Sequence, residues 1–288
     1  MATILDKIYA DKKEELSSTK RKIPVADLKE KVRLRTDKRD VVLALTGIPS
    51  ERIEPVGPQP PVIEEENPGS RIIAEVKLRT PFKGVLREGA DPVEIASIYA
   101  ENGAAALSIL TETKYFGGSI DILCKVRKAV DIPLLRKDFI FHDYQVYEAG
   151  AFGADFFLLI ATWLDTSQMA DLLALGKEIG LPALVETHNE KDMEKAFRAQ
   201  ASIIGINNRD LTSGKTDLGI SRRLIGMGKA VPGTILVCES GIHSRTEIDE
   251  LEQIGAHAFL IGESLMTSDD IALKLKELEG HVESKSSR

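Results

Sequence analysis

Short apolar runs recur along most of this chain. RIIAEV, AALSIL, PLLRK, DFFLLIA, PALVE, SIIGIN, TILVCE and AFLIG begin near residues 71, 105, 133, 155, 182, 202, 234 and 258. They are continuous rather than alternating in polarity, which is the pattern of parallel strands covered on both faces. Their spacing, about 20–35 residues, is that of a strand–helix unit. Amphipathic segments such as DLLALGKEIG and NEKDMEKAFRAQ fill the gaps. Asp91-Pro92-Val93-Glu94 predicts a helix start: an N-cap, a proline at the first helical position and a glutamate completing a capping box. Gly103 closes that helix. Gly-Ala precedes three of the strands, at Gly103, Gly153 and Gly255, as a helix C-cap turning into a strand would.

Eight such units fit either a closed barrel or an open, doubly wound sheet. Their compact spacing, and the absence of G-x-G-x-x-G after the first strand, favour the barrel. The predicted class is α/β, a (β/α)8 TIM barrel with an N-terminal helical extension. Ile4, Leu5, Ile8 and Tyr9 form one helical face near the start, and residues 50–70, rich in Pro and Glu, read as an exposed loop. The predicted organisation is a helical arm and Pro-rich loop over 1–70, packed on a catalytic barrel over 71–288, one domain overall. The mixed-sign run LKEKVRLRTDKR, residues 28–39, reads as a solvated surface.

Composition narrows the function. The chain has 288 residues, 43% hydrophobic and 29% charged, with a net charge of −7. That balance does not suggest a nucleic-acid footprint but permits a local positive pocket. The N-terminus is too charged for a signal peptide, and no run reaches the length of a membrane span. Cys124 and Cys238 lie far apart, without zinc or disulfide spacing, so a reducing, cytoplasmic setting is expected. His142, His188, His243, His257 and His281 are scattered, without metal-ligand spacing, and suit surface or supporting roles. Trp163 suits a pocket wall or ordinary packing equally.

The strand ends carry the chemistry. Glu75 and Lys77 are two residues apart and share one strand face. Burying both charges is costly unless they pair or act. Alone they fit a structural ion pair. The other predicted strands, however, end in Arg136-Lys137-Asp138, Glu186, Asn207-Asn208-Arg209, Glu239-Ser240-Gly241 and Gly262-Glu263-Ser264. The C-terminal ends of barrel strands share one mouth, so these groups converge on a candidate site. Glu-Ser-Gly-Ile after strand seven and Ile-Gly-Glu-Ser after strand eight sit where barrels bind phosphate, with glycine N–H groups and a short helix start. A phosphorylated small molecule is the expected partner.

These motifs resemble indole-3-glycerol phosphate synthase. The matching segments are IAEVKLRTPFKG, ALSILTETKYFGGS, PLLRKDFIFHDYQVYEAGAFGADFFLLI, ALVETHNEKD, IIGINNRDL, CESGI and AFLIGESLM, in family order over about residues 71–268. The resemblance implies a carboxy-lyase that closes the ring of 1-(2-carboxyphenylamino)-1-deoxyribulose 5-phosphate, releases carbon dioxide and dehydrates the product to indole-3-glycerol phosphate. By matching motifs it implies Lys137 as the acid for closure. Glu75 and Lys77 would be base and acid of dehydration, with Lys77 also near substrate anions, and Glu186 would stabilise the developing cation. Asn207, Arg209, Glu239 and Ser240 would position the substrate, Asn207 and Glu239 within the catalytic set. Thr80, Phe116, Phe139, Leu158 and Leu260 would contact the substrate. Backbone groups at Gly241, Gly262 and Glu263 would hold the phosphate. No cofactor or metal, no nucleic acid and no membrane is implied, and the chain is expected as a monomer or weak homodimer. Two features depart from the family: Thr80-Pro81-Phe82 where Ser-Pro-Ser is usual, and the Pro-rich stretch 54–68. Another phosphate-binding barrel enzyme (an isomerase or a Schiff-base aldolase) and a catalytically silent binding barrel are the alternatives.

Overall fold

A computed structural model describes residues 4–50, 69–210 and 213–281. The predicted Pro-rich stretch 54–68 lies outside the described residues. Eight parallel strands close into a barrel: β1 (Ile72–Val76), β2 (Ala106–Leu110), β3 (Leu134–Lys137), β4 (Phe156–Ile160), β5 (Ala183–Thr187), β6 (Ile203–Asn207), β7 (Ile235–Glu239) and β8 (Ala258–Ile261). Neighbours in sequence are neighbours in space, and β1 closes the ring on β8 with Ile73 opposite Leu260. The strand positions read from the apolar runs hold to within about a residue of these bounds, well inside the usual uncertainty of such boundaries.

The pleat sorts each strand. Ile73, Ala106, Leu135, Phe156, Leu158, Leu184, Ile203, Val237 and Leu260 fill the interior together, while Ile72, Ala74, Val76, Leu107 and Ile109 pack outward against the helices. The same alternation carries Glu75, Lys137, Glu186, Asn207 and Glu239 inward at the C-terminal ends. It turns Arg136 outward, where it pairs with Glu148 (2.7 Å) and Asp138 (3.3 Å). The three-residue end of the third strand is therefore split between site and scaffold.

Helices of the coat follow the strands in turn. Asp91 caps the first of them, Pro92–Glu101, by accepting from the Val93 N–H. The reciprocal capping box predicted there with Glu94 is found instead at Ser244 and Glu247, at the start of Arg245–Ile254. Gly103, Gly153 and Gly255 are all left-handed (φ 108, 102 and 119), so the Gly-Ala steps do turn the chain into its next strand.

Among the described residues three helices precede the barrel: α1 (Ile4–Lys22), α2 (Val25–Leu34) and α3 (Val41–Thr46). On α1, Ile8 is buried and Tyr9 half-buried, as that part of the predicted face requires, while the side chains of Ile4 and Leu5 lie outside the described residues; the buried stripe continues through Lys12 and Leu16. On α3, Val41 and Leu45 join the apolar cluster of the barrel interior. The reading of 28–39 as a solvated surface is corrected. Leu28 and Val32 of α2 are buried, and Val32 lies so near Gly150 that a methyl there would stand 3.0 Å from it. The Arg35 guanidinium is buried on Asp155 (2.6 Å), whose other oxygen takes Arg127 (2.8 Å) and the Leu134 N–H (3.0 Å). Helical pattern and charge content were both visible in the sequence, but the partner of Arg35 is 120 residues away.

Asp155 thus satisfies two arginines and a strand N–H in a dry setting. Removing one partner of such a cluster leaves the others uncompensated. Asp155→Ala is expected to cost about 3–5 kcal/mol, read as a lower denaturant midpoint by circular dichroism. An unchanged midpoint would contradict the structural role given to this cluster.

Candidate active site

A cavity of about 600 Å³ opens at the C-terminal ends of the strands, within the range of small-molecule sites. The residues to which the family motifs assign roles all line it: Glu75, Lys77, Thr80, Phe116, Lys137, Phe139, Leu158, Glu186, Asn207, Arg209, Glu239, Ser240, Gly241, Leu260, Gly262 and Glu263; of the strand-end groups expected to converge, Arg136 and Asn208 do not line it.

The floor is charged. The Lys137 ammonium lies 2.7 Å from Glu186 Oε2 and 3.4 Å from Glu239 Oε2. Burial works against its charge, but Glu186, Glu239 and Glu75 outweigh burial and hold its pKa above the ordinary lysine value. Glu186 moves the opposite way: burial would raise it, yet Lys137 and His188 hold it below the usual carboxylate range. Glu239 is pushed up to about 8, first by burial; Lys137 opposes this and Glu186 adds to it. Two carboxylates on one ammonium cannot both ionise freely, and their environments separate them. Beside them Lys77 pairs directly with Glu75.

Two glycines make room for this floor. A methyl on Gly205 would overlap Glu239 Oε1, and one on Gly262 would stand 2.5 Å from Glu75 Oε1. The β7 turn is equally constrained. Ser240 and Gly241 are both left-handed (φ 65 and 77). The buried amide of Asn208 holds this turn by donating to the carbonyls of Glu239 (3.0 Å) and Ser240 (3.1 Å). The β8 turn is tied to it, as Ser264 Oγ donates to the Ile242 carbonyl (2.8 Å). A four-residue helix, Glu263–Met266, starts directly after β8.

The wall is apolar. Phe139 stacks on Trp163 with centroids 4.6 Å apart, and Phe116 lies 6.2 Å from Phe139. Trp163 therefore backs the wall. Leu158 and Leu260 complete it with Leu110, Ile160 and, from α1, Ile8.

Several contributors were not read from the sequence. Glu112, just beyond β2, is buried and accepts from the N–H groups of Lys114 (3.0 Å), Tyr115 (2.7 Å) and Phe116 (2.9 Å), fixing the loop that carries Phe116. The strand-end rule applied to the second strand would have found it. Lys12 of α1 is buried on Asp138 (2.9 Å), which also takes the Thr111 hydroxyl (2.6 Å). Burial would raise Asp138, but Lys12 and Arg136 bring it down to about 2. Nothing in the sequence marks Lys12 among the lysines around it. Lys83 and Arg209 (3.0 Å) both pair with Glu263. Phe82, where this chain departs from the resembled family, leans on Gly214; a methyl there would lie 2.8 Å from its ring. The first loop thereby touches the loop after β6.

A closed parallel barrel with lysine–carboxylate pairs beneath an aromatic wall, opposite two glycine turns, defines a barrel enzyme built for acid–base work on a small molecule. The family described as indole-3-glycerol phosphate synthase matches residues 58–278. A protein of that name from Dehalococcoides mccartyi (strain ATCC BAA-2266 / KCTC 15142 / 195) is 41% identical over 278 residues, 96% of this chain and 99% of that protein. Another from Roseiflexus sp. (strain RS-1) is 42% identical over 286 residues, 97% and 99%. The chain belongs to the indole-3-glycerol phosphate synthase family, carboxy-lyases of tryptophan biosynthesis. Among solved structures, a 3-hexulose-6-phosphate synthase superposes with a TM-score of 0.60 at 17% identity, covering 74% of this chain and 100% of that one, a likeness of fold alone. No helix among the described residues is long and apolar enough to cross a membrane.

Gly205 supplies a direct test of this geometry. The atom a new methyl would strike is the end of a flexible side chain, so Gly205→Ala is expected to displace the Glu239 carboxylate without unfolding the barrel. Misplacement by about 1 Å can cost about a hundredfold in rate. A fall of that order in kcat with an unchanged melting temperature is expected; unchanged kcat would mean that the position of Glu239 does not matter.

Proposed function

We propose that the family reaction is carried out at this mouth with the following division of labour. The ring of 1-(2-carboxyphenylamino)-1-deoxyribulose 5-phosphate lies against Phe116, Phe139 and Leu158. Thr80 and Leu260 bound the substrate. Its phosphate is held by the N–H groups of Gly241, Gly262 and Glu263, near the start of the short helix after β8, with Lys77 close by. The side chain of Glu263 is engaged by Arg209 and Lys83, apart from the role given to its backbone. Asn207, Arg209 and Ser240 position the chain of the sugar.

The ring carbon that bears the carboxylate attacks the ribulose carbonyl. Lys137 gives a proton to the carbonyl oxygen as the carbon–carbon bond forms. Glu186 faces the positive charge that develops on the anilino system. Carbon dioxide then leaves, and its bonding electrons restore the aromatic ring. Dehydration follows: Lys77 protonates the departing hydroxyl and Glu75 takes the proton that allows the indole double bond to form. Glu239, which favours its protonated form more than Glu186 does, assists Lys137 in proton exchange. The observation that carries this reading is the Lys137 ammonium held between Glu186 and Glu239 below the aromatic wall.

The setting is the cytoplasm, with the chain a monomer or weak homodimer. Two thiols without disulfide partners, Cys124 and Cys238, support a reducing compartment.

Purified protein mixed with this substrate in EDTA should develop indole fluorescence, and Lys137→Ala should abolish the rise. Bound substrate without a rise would favour a silent barrel. Glu75→Gln and Lys77→Met should each lower turnover by about a hundredfold or more, the order expected for loss of a positioned acid or base; unchanged turnover in both would remove them from the dehydration step.

A further inference from the structure

His188 lies just beyond the end of β5, two residues after Glu186, and its two ring nitrogens face different partners. Nε2 is 3.3 Å from Glu186 Oε1, the oxygen that Lys137 does not use. The contact is an ion pair rather than an aligned hydrogen bond. Nδ1 is 3.3 Å from Thr162 Oγ1 and 3.7 Å from Asp192 Oδ2. The Thr162 hydroxyl gives its own proton to Asp192 (2.7 Å), so toward His188 its oxygen is an acceptor. Asp192 also accepts from the His188 backbone N–H (3.2 Å) and the Asn189 side-chain amide (3.3 Å), and is itself buried. An acceptor therefore faces each ring nitrogen, and a ring that satisfies both carries two protons.

We propose that His188 is a positioning residue which, as an imidazolium, holds Glu186 ionised and aimed at the substrate. This rests on the acid–base reading of the site given above. Each oxygen of Glu186 then has its own cation, Lys137 on one side and His188 on the other. With His188 removed, Lys137 alone would have to compensate Glu186 as well as Glu239, and its proton would be less available for the carbonyl.

The charged groups facing the ring are few. Glu186 and Asp192 come from its own strand and the helix that follows. Lys137 of β3 acts through Glu186. The loop after β4 offers the neutral Thr162, and the Lys195 ammonium is turned away to the Ala161 carbonyl. Burial disfavours the charged ring, but Asp192 and Glu186 outweigh it and push its pKa up to about 9. Because that value is above the unfolded one, the stabilisation from the charged ring is full below about pH 6.5. It is lost as pH rises through about 9.

Two measurements test the assignment. In the first, imidazole resonances of the intact protein are followed by nuclear magnetic resonance, with His188→Gln giving the assignment. His188 should remain charged at pH 7.5 and titrate near 9, and Glu186→Gln should lower that value. Titration at the ordinary value near 6.5 would overturn the proposal whether or not the protein is active. The second is the pH profile of indole formation. His188→Gln should lower kcat about tenfold with KM within about twofold. Its acid limb should move up in pH, because Glu186 loses one cation. A kcat and profile equal to the parent's would overturn the proposal. A parent without synthase activity, but with His188 charged, would count against the proposed reaction and leave the placement of the charge standing.

Discussion

One buried ammonium shared by two carboxylates organises the mouth of this barrel. Lys137 reaches Glu186 at 2.7 Å and Glu239 at 3.4 Å from the end of a strand whose first two residues, Leu134 and Leu135, are apolar core. Three buried ionisable groups would be ruinous without mutual compensation. Their attraction in a dry setting makes the cluster tolerable, and the mismatch of two carboxylates to one cation separates their proton affinities. That imbalance is what an acid–base site needs and a purely structural ion pair does not.

The surroundings follow from keeping this cluster in place. Gly205 and Gly262 are small because Glu239 and Glu75 occupy the space a side chain would take. Asn208 holds the left-handed turn at Ser240 and Gly241 by bonding to its carbonyls. Glu112 performs the same service for the loop of Phe116 with three N–H groups. Behind the floor, Lys12 of α1 and Arg136 compensate Asp138, the residue after Lys137. The helices before the barrel are thus part of the electrostatic support of the third strand, and they reach the aromatic wall through Ile8 at the cavity and Tyr9 against Trp163.

The loops above the cluster are joined across the mouth. Glu263 is paired with Lys83 of the first loop and Arg209 after β6, and Phe82 rests on Gly214. A serine at position 82, usual in the resembled family, could not make that apolar contact. The effect of this departure is therefore on how two loops meet, while the charged floor beneath is untouched.

The barrel and most of its mouth were legible along the chain, because both rest on local rules. Parallel strands buried on two faces must be apolar runs, and a polar residue at the end of such a run points inward or outward by parity alone. Glu75, Lys77, Lys137, Glu186, Asn207 and Glu239 were legible for that reason, and family motifs supplied what parity does not: which of them acts on what. The partners depend on how the chain closes on itself. Lys12 meets Asp138 across 126 residues, Arg35 meets Asp155 across 120, and Ile8 arrives at the cavity from a separate helix. The charge of His188 belongs to the same class. An imidazole at position 188 is neutral or charged according to where Glu186, Thr162 and Asp192 put their oxygens, and burial and Coulomb energies of that kind exist only once the chain has closed around them.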